Sequence, residues 1–523
     1  MKETAAVKHH VAVIDIGTSA IRMVIAELGP KDEIRHLENL QKSVRFGKEV
    51  FTTGRLSGAA VREAVAILKN FKLVIESYGI KKIQAIATSA VREAANRDNF
   101  VDQVFVRTGI DIEVIEGPEE NRLELLAVEH ALSGQMDLQP KNCLIVEVGS
   151  GSTEMIILNH GNVEITRTLS LGSIRLPEQV VAGKTDPSVM QRVLKRNIHE
   201  VVLYAAREYN FEQVDTFIAI GGDMRFTAQH LGEKNEDRFA IIEKKNFSAF
   251  IQRIGKMTTE DVSSEYGLSY ADAETLYPSL LVYANFLAET KVETIVVPRI
   301  SIRDGLLIEL SQLFSGYKRT DVSKQVLNSA RHLAAKYQYD KNHAACVASL
   351  AVKLFDLLSQ DHGMGTRERM LLEVSAVLHD IGVFVSPAAH HKHSSYLVEA
   401  AEIFGLRQLD KAIVAAVVRY HRRSVPRTTH VPYMSLPKAD RAVVSKLAAI
   451  LRVADALDRS HQQKIRHISL ERADDSYTIW VSDEIGDIAL ERSGLQEKGG
   501  LFSEVFGAPI TLKQGAQSIG KGN

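Results

Sequence analysis

Cysteine is almost missing from this chain, with two in 523 residues. Cys143 and Cys346 both sit inside apolar runs, where they read as small core residues of a protein kept in a reducing compartment. An excess of either charge is missing too. Lys and Arg total 64 against 65 Asp and Glu, a formal net charge of −1, so a polyanion would have to be met by a local basic patch. No apolar run approaches the roughly 20 residues that span a bilayer. The opening residues, Met1 to His10, lack the apolar centre of a signal peptide. These absences predict a cytoplasmic protein without a membrane partner. What is present, 45% hydrophobic and 25% charged residues, is ordinary for a soluble protein and enough for several domains.

Two segments about 130 residues apart carry most of the information. The first is Val11-Ala-Val-Ile-Asp15-Ile-Gly17-Thr18-Ser19, the second Leu144-Ile-Val-Glu147-Val-Gly149-Ser150-Gly151-Ser152-Thr153-Glu154. Each is an apolar β-branched run, an acid, a Gly/Ser/Thr turn and a second apolar run, which predicts strand, tight turn, strand. Backbone N–H groups and hydroxyls in such turns hold phosphate oxygens, and the acid can hold a metal ion directly or through water. A plain hairpin also needs glycine, so one copy says little; two copies predict a duplicated domain closing on one phosphoryl group.

Strand signals over 11–28, 34–46, 83–88, 112–115, 163–169, 216–220 and 295–297 alternate with helical spacing over 56–77, 99–107, 119–131, 187–209 and 303–313. Two similar halves of this kind predict an α/β architecture. From Asp321 to about Ser460 helical periodicity takes over, after a linker at 315–320. Strand-like stretches at 465–470 and 477–481 follow, then a polar, Gly-rich tail expected to fray. The predicted divisions are 1–130, 131–314, 315–462, 463–513 and a tail at 514–523.

Several local patterns admit a chemical and a plain reading. Glu119-Glu120 opens a helix after Gly117-Pro118, as a water-positioning carboxylate pair or as an acidic first turn favoured by the helix dipole. Arg92, four residues after Thr88 at a strand-to-helix junction, offers a fork for phosphate or sits on the surface. Arg419-Tyr420-His421-Arg422-Arg423 with Arg427 is a basic stretch for a polyanion or a solvated loop. Gly221-Gly222 at a strand end is a further turn.

Taken together, the two turns and four more motifs resemble the exopolyphosphatase/guanosine pentaphosphate phosphatase family over about residues 10–310. Those motifs are Ala87-Thr88-Ser89-Ala90-Val91-Arg92-Glu93-Ala94, Ile115-Glu116-Gly117-Pro118-Glu119-Glu120-Asn121-Arg122, Leu171-Gly172-Ser173-Ile174-Arg175-Leu176 and Ile220-Gly221-Gly222. The resemblance implies two ribonuclease H-like domains of the actin/Hsp70/sugar kinase superfold, a homodimer, and a phosphoanhydride hydrolase. It makes Glu120 the catalytic carboxylate, with Arg122 orienting it or pairing on the helix surface. It assigns Arg92, Arg175, Gly17, Thr18, Ser19, Gly149, Ser150, Gly151, Ser152 and Thr153 to catalysis and phosphate binding. Asp15, Glu147 and Glu154 are its implied ligands for Mg²⁺ or Mn²⁺. The chain departs from the family pattern at Glu147, where the family has Asp, at Gly149-Ser150-Gly151, where it has three glycines, and at Ser19-Ala20, where it has Asn-Ser.

The helical half carries His343, His379-Asp380, His421 and Asp455, which resembles the HD-domain pattern, with His393 as an additional candidate. Side chains of this kind on convergent helices hold a divalent metal that activates water. The resemblance to longer exopolyphosphatases implies instead a scaffold and substrate channel, with Arg419, Arg422, Arg423 and Arg427 as its cations. The expected function is processive release of orthophosphate from inorganic polyphosphate. The alternatives are a guanosine pentaphosphate 5′-phosphatase at the same site, an HD-type metal phosphohydrolase centred on His343, His379, Asp380 and Asp455, and a non-catalytic polyphosphate or nucleotide sensor. Nucleic acid is the weaker reading of the basic stretch.

Overall fold

The computed structural model describes residues 8–30, 33–180, 187–232, 238–315 and 322–515. Of the predicted linker at 315–320, residues 316–320 lie outside them, while Ser315 ends a helix; of the predicted tail at 514–523, residues 516–523 lie outside, while Gln514 ends a strand. The chain forms two compact units, Met1–Asp321 and Val322–Asn523. Among the described residues no helix is long and apolar enough to cross a membrane.

Unit 1 is built twice on one plan. Its first lobe runs β1 (His9–Ile16), β2 (Ala20–Leu28), β3 (Ile34–Ser43), α1 (Phe46–Thr53), α2 (Gly58–Ser77), β4 (Lys82–Ala87), α3 (Ser89–Glu93), α4 (Arg97–Thr108), β5 (Ile112–Val114) and α5 (Gly117–Leu132). The second runs β6 (Cys143–Val148), β7 (Thr153–Asn159), β8 (Asn162–Leu169), α6 (Arg175–Val180), α7 (Pro187–Ala206), β9 (Thr216–Ile220), α8 (Gly222–Leu231), β10 (Phe239–Glu243), α9 (Lys244–Ile254), α10 (Thr259–Tyr266), α11 (Tyr270–Ala288), β11 (Thr294–Pro298) and α12 (Ile302–Ser315).

The sheet orders are β3-β2-β1-β4-β5 and β8-β7-β6-β9-β11, the latter extended by β10. In both, the first hairpin is antiparallel and its leading strand then pairs parallel with the strand that follows the crossover. β1 and β6 are central and buried on both faces, which is why they read as unbroken apolar runs.

The last helix does not stay with the lobe that precedes it. Ile302, Leu306, Leu307 and Leu310 of α12 pack with Val11, Val13, Val24 and Leu123 of the first lobe. The packing therefore departs from the division at 314. A chain boundary drawn from composition follows sequence order, whereas the apolar stripe of α12 goes to the uncovered face of the first sheet.

Unit 2 packs α13 (Val322–Lys336), α14 (Lys341–Leu357), α15 (Ser359–His362), α16 (Thr366–Leu378), α17 (His390–Ala400), α18 (Gln408–Tyr420), α19 (Val431–Met434) and α20 (Lys438–Ala456). β12 (Ser469–Ala473), β13 (Ser476–Val481), α21 (Ala489–Lys498), α22 (Gly500–Phe506) and β14 (Ile510–Gln514) complete it, with sheet order β12-β13-β14. One core takes in Leu447 and Leu451 of α20 together with Ile479, Phe502 and Leu512. The predicted segment 463–513 is thus part of the helical unit and has no core of its own.

Candidate active site

The two Gly-rich turns are geometric copies. Gly17 N donates to Ala20 O at 3.0 Å, and Gly149 N donates to Ser152 O at 2.9 Å. In the register of each hairpin, Asp15 lies opposite Arg22 and Glu147 opposite Glu154. The turns meet across the unit. Ser19 Oγ is 3.0 Å from Ser150 Oγ, and Thr18 Oγ1 is 2.9 Å from Ser89 Oγ. Any side chain at Gly151 would collide with Ser89 Oγ and the ring of Phe51, so glycine is what allows this approach.

The Leu171–Leu176 motif clamps the second turn. Ser173 N and Ile174 N donate to the carbonyls of Gly149 and Ser150, each at 3.0 Å. Arg175 donates to Gly151 O, pairs with Glu93 and lies 4.0 Å over the ring of Phe51. Tyr283 Oη accepts from Val148 N at 2.8 Å and donates to Ile220 O, tying the turn to the end of β9.

Between the turns lies a cavity of about 460 Å³. Its lining includes Asp15, Gly17, Thr18, Ser19, Glu120, Glu147, Gly149, Ser150, Gly151, Ser152 and Glu154. The structure separates the two adjacent glutamates of α5. Glu119 turns away and is held by Arg122 at 2.8 and 2.9 Å, while Arg122 reaches Glu309 of α12 at 2.6 Å. Arg122 therefore fastens α5 to α12 and does not orient Glu120. Glu120 faces the cavity. Arg92 pairs with its Oε1 and donates to Ile115 O at 2.8 Å.

Three sequence-predicted phosphate ligands thus have other partners. Arg92 and Arg175 do not line the cavity; they hold, respectively, Glu120 and the second turn. Thr153 starts β7, and its hydroxyl donates to Leu171 O. A position in a motif does not tell which way a side chain points.

The cations of the cavity are Arg22, Arg225 and Arg303, and none belongs to the motifs that the sequence offers. Arg22 donates to Gln41 at 3.1 Å and lies 3.9 Å from Asp15; Arg225 donates to Ile300 O. Arg303 is 8% exposed, and its Nε and Nη1 have no hydrogen-bond partner. A buried guanidinium with N–H groups of this kind has the chemistry to bind an anion. Its position at the start of α12, just after β11, is the one signal of it in the sequence.

Burial raises the Glu120 carboxyl above the usual range, against the pull of Arg92. Burial also raises Asp15 and, more strongly, Glu154 and Glu124. Glu124 lies one turn along α5 from Glu120, and the nearby Glu147 carboxylate adds to the rise of its carboxyl. Its i, i+4 spacing from Glu120 is the sequence signal that places it on the same helix face.

In unit 2, the predicted residues His343, His379 and Asp380 come together, and His421 joins Asp380 and His390. Asp455 does not enter either group: Lys498 holds its carboxylate. His393 enters neither group. Arg422 lies against His390, while Arg423 and Arg427 are exposed.

The comparison with known families decides what this chain is. The model described as "Ppx/GppA phosphatase family" matches residues 24–314, more than half of the chain, and "Ppx/GppA phosphatase, domain III" matches 327–498. The chain belongs to the Ppx/GppA phosphatase family. Membership makes it a phosphoanhydride hydrolase. A Photobacterium profundum protein named guanosine-5′-triphosphate,3′-diphosphate pyrophosphatase is 23% identical over 463 residues, 87% of this chain and 88% of the relative. A crystal structure of an exopolyphosphatase from Cytophaga hutchinsonii has 22% identity and a TM-score of 0.53, covering 59% of this chain and 99% of that one. An exopolyphosphatase-like protein of known structure has 24% identity and a TM-score of 0.52, covering 59% and 99%. At these identities the two structures establish the shared fold.

Proposed function

We propose that the unit 1 cavity hydrolyses the terminal phosphoanhydride bond of inorganic polyphosphate, chain end by chain end, and releases orthophosphate. The observation that carries this reading is Glu120, anchored by Arg92 and facing the space between two hydroxyl-bearing turns. N–H and hydroxyl groups of residues 18–19 and 150–152 hold the oxygens of the terminal phosphoryl group. Arg303, with Arg22 and Arg225 further along the cavity, matches the repeating charge of the chain. Glu120 accepts a hydrogen bond from water and takes its proton as the water oxygen attacks phosphorus. The bond from phosphorus to the bridging oxygen breaks, and that oxygen leaves with the shortened chain.

The donor set also fits a divalent cation. Asp15, Glu120, Glu147 and Glu154 line one cavity, and Glu154 Oε1 is buried without a hydrogen-bond partner. Asp15, Glu147 and Glu154 would hold Mg²⁺ or Mn²⁺, which supplies charge neutralisation at the terminal phosphates. Burial raises the Glu124 carboxyl well above the usual range, which favours its neutral form and lowers the negative charge of this cluster.

A second reading is a guanosine pentaphosphate 5′-phosphatase at the same site. Phe226, Leu268 and Leu276 give the cavity an apolar wall that suits a base, and the relative that matches nearly the whole chain bears a name of that kind. Orthophosphate release from long polyphosphate, short polyphosphate and guanosine pentaphosphate, measured in parallel, separates the two. The polyphosphate reading expects the highest kcat/KM on the polyphosphates; a clear preference for the nucleotide reverses the order, and no release from any of the three leaves a binding protein.

A further inference from the structure

Unit 2 gathers a second set of chemically capable side chains, and the cavity described above uses none of them. His343 lies in the first turn of α14, His379 and Asp380 directly follow α16, His390 begins α17, and His421 directly follows α18. Hydrogen bonds fix how each ring is turned. The Nδ1 atoms of His379, His390 and His421 lie 2.8, 3.1 and 2.6 Å from the carbonyls of Ala376, Pro387 and Val418. His343 Nδ1 lies 2.8 Å from the carboxylate of Asp458. A carbonyl or carboxylate oxygen only accepts, so each Nδ1 carries a proton, and in the neutral ring Nε2 presents a lone pair.

Those lone pairs point at one another and at carboxylates. His390 Nε2 and His421 Nε2 are 3.1 and 3.5 Å from Asp380 Oδ1 and 3.4 Å apart. His379 Nε2 is 3.6 Å from Asp380 Oδ2, and His343 Nε2 is 3.7 Å from Asp455 Oδ1. Acceptors face acceptors, and His343 Nε2, His379 Nε2 and Asp380 Oδ1 are buried with no hydrogen-bond partner. Left so, each is an unfavourable buried acceptor. The separations of 3.1–3.5 Å among Asp380 Oδ1, His390 Nε2 and His421 Nε2 are close to those of ligands around a cation: donors about 2.1 Å from a metal at tetrahedral or octahedral angles lie about 3.0–3.4 Å apart. The Nδ1 partners are also the outer-shell groups that fix the tautomer of a metal-ligating histidine.

Two protein cations border the cluster without resolving it. Lys498 takes the other oxygen of Asp455. Arg422 Nη1 is 3.3 and 3.2 Å from Nδ1 and Nε2 of His390, nearly equidistant, so it rests against the ring and leaves the lone pair facing Asp380.

We propose that His343, His379, Asp380, His390 and His421 form a binding site for a first-row divalent transition-metal ion, with Asp380 shared by the groups His343/His379/Asp380 and Asp380/His390/His421. Imidazole nitrogens joined by one carboxylate suit Zn²⁺, Fe²⁺ or Co²⁺ over Mg²⁺ or Ca²⁺. The Asp380 side chain is 25% exposed, which opens the site to exchange. Lys498 competes for Asp455 and so limits the charge available to the ion.

The test uses the full-length chain, stripped by a chelator and loaded with Co²⁺ or Zn²⁺. We expect visible ligand-field bands of nitrogen-ligated Co²⁺ and about one equivalent of Zn²⁺ retained through gel filtration. His379→Gln and Asp380→Asn should each weaken retention at least about tenfold. Lys498→Met should strengthen it. Circular dichroism checks each fold; where His379→Gln fails to fold, the half-buried Asp380→Asn gives the same reading. A wild-type chain that retains no Zn²⁺, or a folded Asp380→Asn chain that retains as much as wild type, overturns the site.

Discussion

At the scale of single residues, one carboxylate is set apart from its neighbour by its partners. Glu119 is tied to Arg122; Glu120 is tied to Arg92 and faces the cavity. Glu120→Gln keeps the shape and loses the base, so orthophosphate release should fall by about 10²–10⁴ in kcat, with polyphosphate binding nearly unchanged. Turnover within a few-fold of wild type would remove Glu120 from the chemistry. Burial raises the Glu120 carboxyl and Arg92 opposes that rise. The base works ionised, so activity should climb with pH through a value above the ordinary carboxylate range. Arg92→Ala removes the opposing charge, so the climb should move to still higher pH, whereas Arg92→Lys should keep it near the wild-type position. A pH profile of kcat/KM that is identical in all three would rule out this coupling. Glu147 stands where the resemblance implies Asp, and one more methylene would be absorbed by a water on the divalent ion proposed above. Glu147→Asp should therefore preserve or raise turnover and Glu147→Ala lower it. A chain insensitive both to Glu147→Ala and to a chelator has no metal role for this acid.

At the scale of elements, α5 and α12 are the pieces on which the site depends. α5 carries Glu120 and Glu124, and its first residue, Gly117, sits where any side chain would strike Thr168 of β8. α12 brings Arg303 to the cavity while its apolar stripe covers the first sheet. The lobe that begins at β1 is therefore completed by residues about 290 positions later. Leu307 is fully buried in that contact, and Leu307→Ala should cost about 2–5 kcal/mol. Hydrogen exchange should then show lost protection in β1 and β2. Loss confined to β6–β9 would mean that α12 supports the second lobe instead.

At the scale of the molecule, every lining residue of the cavity falls within unit 1, from Asp15 to Arg303. A chain ending at Ser315 should keep its cleavage of short polyphosphate within a few-fold. Unit 2 carries its own basic stretch, with Arg423 and Arg427 exposed. Loss of those cations should weaken long-chain binding and flatten its dependence on salt, because polyanion contacts release counterions. Equal long-chain affinity of the two proteins at low and high salt would remove the stretch from binding.

Much of this was written in the order of residues. Alternating apolar runs, turn glycines and acids at fixed offsets gave away the duplicated strand–turn–strand plan and both Gly-rich turns, since those features depend on neighbours a few positions apart. Glu120 came from the resemblance to the family, and it lines the cavity. What local pattern does not encode is direction and closure. Arg92, Arg175 and Thr153 sit in the right motifs but point to other partners, and Arg303 enters the cavity only because α12 crosses back to the first lobe. Lys498 reaches Asp455 from 43 residues away, and His390 meets His421 across 31. Such meetings are fixed by which apolar faces bury against each other, and that is settled only when the whole chain packs.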